Sequence, residues 1–307
     1  MPNLEVQLCG LRLKNPILAA SGTFGYGLEL ASILDLNALG GFVTKGLSRE
    51  PIAGNPAPRI LEAASGMINS IGLQNVGVNR FVTEKLPKLR ALDTAVFANV
   101  FGYAPEDYVA VLEQLEDHEG LAGYELNVSC PNTKHGGLQF GADPKLLGEV
   151  VGLCRKAISS KRPMMVKLSP NVGDIAVMAR AAEAAGADAL SLVNTFQALA
   201  VDARLRKPRI GAGFGGLSGP AIKPIALRMV YQASQAVQIP VVGLGGIAVG
   251  EDVAEFLVAG AAAVEVGTAS FWDPAKTAKL PRELDRFLRD AGVSSARDLI
   301  GTLQMGG

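Results

Sequence analysis

Short apolar runs rich in β-branched residues recur along the chain, at 17–21, 41–45, 95–101, 124–129, 164–168, 189–194, 241–245 and 263–267. Each run is continuous rather than alternating, the pattern of a strand buried on both faces in a parallel sheet. Each gives way to a turn rich in Gly, Ser or Asn and then to a stretch with helical spacing of apolar positions. Two of those stretches carry their own punctuation. The stretch 144–159 follows Asp143-Pro144, an N-cap and a proline at the first helical position. The stretch 175–185 stops at Gly186. Eight strand-then-helix units predict a closed (β/α)8 (TIM) barrel, with an open doubly wound sheet as the competitor that count and spacing disfavour.

Three departures from the minimal barrel follow from the same pattern. Residues 4–15 alternate polar and apolar around Cys9-Gly10, which predicts a small N-terminal hairpin capping the barrel's bottom. The loop 130–141, after the fourth strand, is polar and contains Gly136, Gly137 and Gly141, the composition of a mobile lid. The stretch 196–220 is a long insertion after strand six, with five glycines, and an insertion of this length is expected to be functional or a covering element. No linker divides the chain, so residues 1–307 are expected to form one domain.

Composition narrows the function classes. The 29 basic and 29 acidic residues balance, so no electrostatic footprint for nucleic acid is present. The N-terminal residues lack the pattern of a secretory signal, and no apolar run reaches the ~18–20 residues of a membrane span. Three widely spaced cysteines suit reduced thiols, so the expectation is a cytoplasmic enzyme without membrane attachment. The two histidines, His118 and His135, leave little material for a His-centred triad, and no metal site is expected.

Candidate chemistry gathers where the strands end. Strand two ends in Thr44-Lys45-Gly46, strand four in Asn127-Val128-Ser129-Cys130, strand five in Lys167, and strand six in Asn194-Thr195. In a barrel these C-terminal strand ends converge on one cleft. Helix capping explains Ser21 or Thr268 alone as well as function does, but it accounts poorly for two lysines, two asparagines and a cysteine ending buried strands together. Gly245-Gly246 and Gly267-Thr268, after strands seven and eight, stand at the usual phosphate position of such barrels, although tight turns use glycine anyway. Cys130, beside Pro131, is placed to act as a base or nucleophile. Cys9 and Cys154 read as buried, inert thiols.

The segments Ala20-Ser21-Gly22-Thr23, Lys45-Gly46, Asn69-Ser70-Ile71-Gly72-Leu73-Gln74-Asn75, Asn127-Val128-Ser129-Cys130-Pro131-Asn132, Lys167-Leu168-Ser169-Pro170, Asn194-Thr195, Gly243-Leu244-Gly245-Gly246-Ile247 and Val266-Gly267-Thr268 resemble, in order, those of dihydroorotate dehydrogenases. Cysteine at 130, where membrane-associated relatives carry serine, resembles class 1, and the loop 133–141 resembles subgroup 1B, whose catalytic subunit this chain would be. Thr133 departs from the valine expected there.

The resemblance implies FMN-dependent oxidation of (S)-dihydroorotate to orotate in de novo pyrimidine (UMP) biosynthesis. It places FMN against Ser21, Lys45, Gly46, Asn99, Asn127, Lys167, Val193 and Gly219, with the phosphate at Gly245, Gly246, Gly267 and Thr268. It places the substrate against Lys45, Asn69, Ser70, Ile71, Gly72, Leu73, Asn127, Asn194 and Thr195. Cys130 would be the general base taking the C5 proton while hydride passes from C6 to the flavin, and Lys167 would stabilise the charge that develops there. A lysine and several asparagines complement an anion ringed by amide-like groups. Electrons would pass to NAD+ through a partner subunit holding FAD and a [2Fe–2S] cluster, around a homodimer core of a heterotetramer. This chain lacks the clustered cysteines of such a cluster, and its glycine-rich stretch 211–216 lies in the insertion rather than opening a dinucleotide-binding helix. The alternatives are a class 1A-type fumarate-dependent homodimer, a related dihydropyrimidine dehydrogenase, a lysine Schiff-base barrel, or a non-catalytic barrel that scaffolds a partner.

Overall fold

A computed structural model of the chain describes residues 1–129 and 140–306. All eight expected runs are strands: β1 (Ile17–Ala19), β2 (Gly41–Val43), β3 (Ala95–Val100), β4 (Gly123–Asn127), β5 (Met164–Lys167), β6 (Ala189–Leu192), β7 (Val241–Leu244) and β8 (Ala263–Val266). Each pairs in parallel with the next, and β8 closes on β1 with Val264 opposite Ile17. Closure is tight at β2, where a Cβ on Gly41 would lie 2.7 Å from the Ala95 carbonyl oxygen. Strands β1, β2 and β5 to β8 are buried at every position, which is why their sequences do not alternate.

Helices wrap the barrel where punctuation and periodicity agree. In Pro144–Ala157 the Asp143 carboxylate accepts from the Lys145 and Leu146 N–H groups, both at 2.9 Å, and Leu147, Val150, Val151 and Cys154 form the buried stripe. Ile175–Ala184 is capped by Asp174 and ends before Gly186, whose φ of +99° few other residues adopt. One return departs from the expected unit. Between β1 and β2 the described chain forms only the 3₁₀ turns Leu28–Leu30 and Leu36–Ala38, after a stretch in which Gly22, Gly25 and Gly27 hold positive φ, a conformation no α-helix contains.

The N-terminal hairpin pairs Val6–Leu8 with Leu11–Leu13 through a turn at Cys9 and Gly10, both at positive φ. The Cys9 thiol donates to the carbonyl of Asp188, just before β6, so the hairpin lies at the barrel's N-terminal end. The insertion does not cover the barrel alone. Its strands Phe196–Leu199 and Phe214–Ser218 pair with each other, and the second pairs with Gly66–Asn69, which in turn pairs with Ile60–Ala63. This four-stranded antiparallel sheet brings residues 60–69 to the opposite, C-terminal end of the barrel. Among the described residues no helix is long and apolar enough to cross a membrane.

Candidate active site

A cavity of 290 Å³ opens at the C-terminal ends of the barrel strands, beneath the antiparallel sheet. Ligand clefts begin at about this size. Its floor is made by strand ends, because in a closed barrel the last inward-facing residue of each strand points at the axis. Ser21, Lys45, Gly46, Asn99, Asn127, Lys167, Val193, Gly219, Gly245, Gly246, Gly267 and Thr268 all line it, as do Asn69, Ile71, Gly72, Leu73, Asn194 and Thr195. Ser70 does not, since its Oγ and carbonyl oxygen both accept from the Asn55 amide at 3.0 Å, outside the cavity. Cys130 and His135 lie outside the described residues, as does most of the loop 130–141, so the base and lid expectations have no geometry here.

One wall is built to receive an anion. Gly245 and Gly246 have φ of +130° and +82°, and a Cβ on Gly246 would come within 2.8 Å of Lys223 Cβ and 2.9 Å of the Gly219 carbonyl oxygen. Only glycine fits there. The N–H groups of Gly245, Gly246, Gly267 and Thr268 make no backbone hydrogen bond within the described chain, and all four residues line the cavity. Unspent donors around a space that side chains cannot enter are the requirement of a phosphate cradle. The Thr268 hydroxyl donates to the Ser218 hydroxyl at 2.8 Å, tying the cradle to the sheet above.

Another group of lining residues carries the polar side chains. Asn194 Nδ2 donates to Ser129 Oγ at 3.0 Å and to Asn127 Oδ1 at 3.3 Å, and Asn194 Oδ1 accepts from the Thr195 N–H at 2.9 Å. Asn127 Oδ1 also accepts from the Ser129 N–H, which fixes the amide, and its NH₂ group makes no hydrogen bond among the described residues. Asn69 Nδ2 reaches the Gly216 carbonyl at 3.3 Å across the antiparallel sheet. Gly216 must be glycine, because a Cβ would lie 2.0 Å from Thr195 Oγ1. That assigns part of the glycine-rich stretch 211–216 to strand pairing rather than to nucleotide binding.

Lys45 is half-buried and has no carboxylate partner among the described residues. Burial pushes its pKa down, and the charge of Arg59 pushes the same way. Arg59 itself is held by Gln74 Oε1 at 2.7 Å and by the Asn55 carbonyl. A lysine depressed by burial and by a neighbouring cation is stabilised by any anion that enters the cavity.

Beneath the cavity a polar layer fills the barrel, and the strand-end pattern of the sequence did not mark its two acids. Lys167, Glu125 and Glu265 have side chains only 6%, 0% and 0% exposed, with Lys167 Nζ 3.1 Å from Glu265 Oε2 and 3.6 Å from Glu125 Oε1. Asn99 Nδ2 and Ser191 Oγ donate to the two Glu125 oxygens at 2.6 and 2.7 Å. A charge inside an otherwise apolar strand is the signal that marks both acids, since such a group needs a buried partner. Met67, Phe101, Phe271 and Trp272 also line the cavity without having been foreseen. The thiols of Cys9 and Cys154, pushed by burial to about 12, take no part in it.

Comparison with known proteins fits this geometry. The family model described as dihydroorotate dehydrogenase matches residues 3–288. A protein of Solibacter usitatus named as dihydroorotate dehydrogenase A (fumarate) is 66% identical over 303 residues, covering 99% of both chains. A protein of Pelobacter propionicus named dihydroorotate dehydrogenase B (NAD(+)), catalytic subunit, is 52% identical over 303 residues, again 99% of both. One from Geobacter sp. with the same name is 50% identical over 304 residues and 99% of both. A full-length family match, a closed eight-stranded parallel barrel and a polar cavity at its strand ends lead to one conclusion: this chain belongs to the dihydroorotate dehydrogenase family of oxidoreductases.

Proposed function

We propose that the chain works as a single barrel domain that oxidises (S)-dihydroorotate to orotate with FMN in the cavity, as the catalytic subunit of a class 1B enzyme. The observation that carries this reading is Lys45, a half-buried cation without a carboxylate partner among the described residues, facing a cavity ringed by asparagine amides. An anionic pyrimidine supplies the missing charge, and its ring donors and acceptors match amides.

The cavity fits FMN in its chemistry: a glycine cradle with unspent N–H donors for the phosphate, and a buried ammonium, that of Lys167, in the same lining. FMN, when bound, supplies a two-electron acceptor for the substrate's C6 hydrogen. In this reading Ser21, Gly46, Asn99, Val193 and Gly219 hold the cofactor, and Gly245, Gly246, Gly267 and Thr268 hold its phosphate. Lys45, Asn69, Asn127, Asn194 and Thr195, with the 71–73 backbone, orient the substrate. Lys167 keeps a positive charge where electron density arrives. Cys130, assigned by resemblance, removes the C5 proton as thiolate.

The electrons leave, in this reading, through a partner subunit carrying FAD and [2Fe–2S] to NAD+, around a homodimer core. The relatives named as NAD(+)-type catalytic subunits and the loop 133–141 support it. The exposed apolar side chains of the insertion, Leu199, Val201, Leu205 and Phe214, support a subunit contact. The 66% identical relative favours a second reading, in which the chain alone passes electrons to fumarate. An acceptor assay separates them. The chain purified alone, given dihydroorotate, is expected to turn over with neither fumarate nor NAD+, and to reduce NAD+ once the electron-transfer subunit is added. Steady fumarate-supported orotate formation by the chain alone would overturn the class 1B assignment.

A further inference from the structure

The layer under the cavity floor contains two carboxyls and one ammonium, all from barrel strands and all at most 6% exposed. Among the described residues, the other polar side chains bonded into it, Asn99 and Ser191, are neutral. With both acids ionised, the layer would hold an uncompensated negative charge, which a dry interior does not tolerate. The two acids also differ in how they are held. Glu125 receives hydrogen bonds on both oxygens from Asn99 and Ser191 and lies beside Lys167. Glu265 touches Lys167 through Oε2, its fully buried Oε1 receives no hydrogen bond among the described residues, and its carboxyl lies within hydrogen-bonding reach of Glu125. An acceptor left in that state is destabilising, because it gives up its hydrogen bonds to water and gains none in return. Protonation removes both faults, because the acid then donates to Glu125 and the layer becomes neutral.

We propose that Glu265 is a positioning residue held in its protonated form, donating to the Glu125 carboxylate so that Lys167 keeps one charged partner rather than two and its ammonium remains available to the cavity. Burial pushes the Glu265 carboxyl up, and the neighbouring charge of Glu125 pushes it further. Burial also opposes ionisation of Glu125, but Lys167 and the hydrogen bonds from its neighbours outweigh that and hold it ionised. Glu265 does not line the cavity and acts on it through Lys167, which does. A doubly ionised layer would put net negative charge beneath a site that takes anions, and a single proton prevents it.

The consequence for cofactor affinity rests on the flavin reading given above, whereas the protonation state does not, so the test reads them separately. Infrared spectroscopy at neutral pH reads the carbonyl stretch of a buried carboxylic acid, which carboxylates lack. The wild type is expected to show that band and Glu265→Gln to lose it. Glu125→Gln is also expected to lose it, because Glu265 then becomes the sole counterion of Lys167 and ionises. Glu265→Gln, which copies the shape and donor of the neutral acid, is expected to keep the wild-type Tm and FMN affinity, whereas Glu265→Leu, which cannot bond Glu125, loses both. An infrared spectrum unchanged by Glu265→Gln would overturn the proposal, as would a Glu265→Gln variant as destabilised as Glu265→Leu. If the wild type retains no FMN, the flavin reading falls while the infrared and Tm results still decide the state of Glu265.

Discussion

Lys167→Met tests the electrostatic layer by removing its only cation while keeping the length of the side chain. The change leaves Glu125 fully buried with neutral donors alone, Asn99, Ser191 and the protonated Glu265, and no counterion. Breaking a buried pair in this way costs about 3–5 kcal/mol. An independent bound comes from the escape available to Glu125, which is to take up a proton. Holding a carboxyl protonated at pH 7 against an ordinary pKa of about 4.3 costs about 3.7 kcal/mol, so the loss is expected near that figure. The sign with pH follows. In the variant the folded-state pKa of Glu125 lies above its unfolded value, so the penalty is absent at low pH and grows as pH rises. At pH 5.5 the same reasoning leaves about 1.6 kcal/mol. Urea denaturation followed by far-UV circular dichroism at both pH values, on samples of matched flavin content, reads the difference directly. A loss below about 1 kcal/mol at pH 7, or equal losses at the two pH values, would refute the claim that Lys167 holds Glu125 ionised.

Further outcomes follow from other parts of the site. Cys130→Ala is expected to retain FMN and lose turnover by about 10²–10⁴-fold, the usual worth of a general base, while Cys130→Ser keeps a little; wild-type rates in the alanine variant would remove the base assignment. Lys45→Met deletes a charge-assisted contact worth about 1.5–3 kcal/mol, so orotate affinity measured by flavin difference spectra is expected to fall about 10–150-fold. Away from the site, burial raises the Glu116 carboxyl, but donors from Tyr124, Ser160 and Ser159 outweigh that and hold it at about 2. A depressed pKa contributes stability that is present above about 4.5 and lost as pH falls towards 2. Glu116→Gln is therefore expected to cost about 1–3 kcal/mol near neutrality and to flatten the acid limb of the stability profile, which a pH series of melting curves would check.

The barrel was legible because its strands are buried on both faces, so each reads as a largely apolar run without alternation whose end can be found. Lys45, Asn127, Lys167 and Asn194 were legible for the same reason, since a polar residue closing such a run has nowhere to point but the common cleft. The sheet over that cleft was not legible. Ile60–Ala63 has only exposed and intermediate positions, and its neighbour Gly66–Asn69 pairs with Phe214–Ser218, so local sequence carries little of its signal. Arg59, which acts on Lys45, lies beside that sheet and was missed with it. Glu125 and Glu265 were legible in principle, as charges inside apolar strands, but they stand within their runs and not at the ends that mark the cleft. Ser70, grouped with its neighbours by motif, turns the other way to meet Asn55.

The central claim is that the cavity holds a flavin which takes electrons from dihydroorotate, and an anaerobic titration tests it most directly. The visible spectrum of the purified protein is recorded and dihydroorotate is added without any acceptor. The account predicts an FMN spectrum that bleaches with one equivalent of orotate formed per flavin. A flavin that stays oxidised, or a protein purified without one, would contradict it.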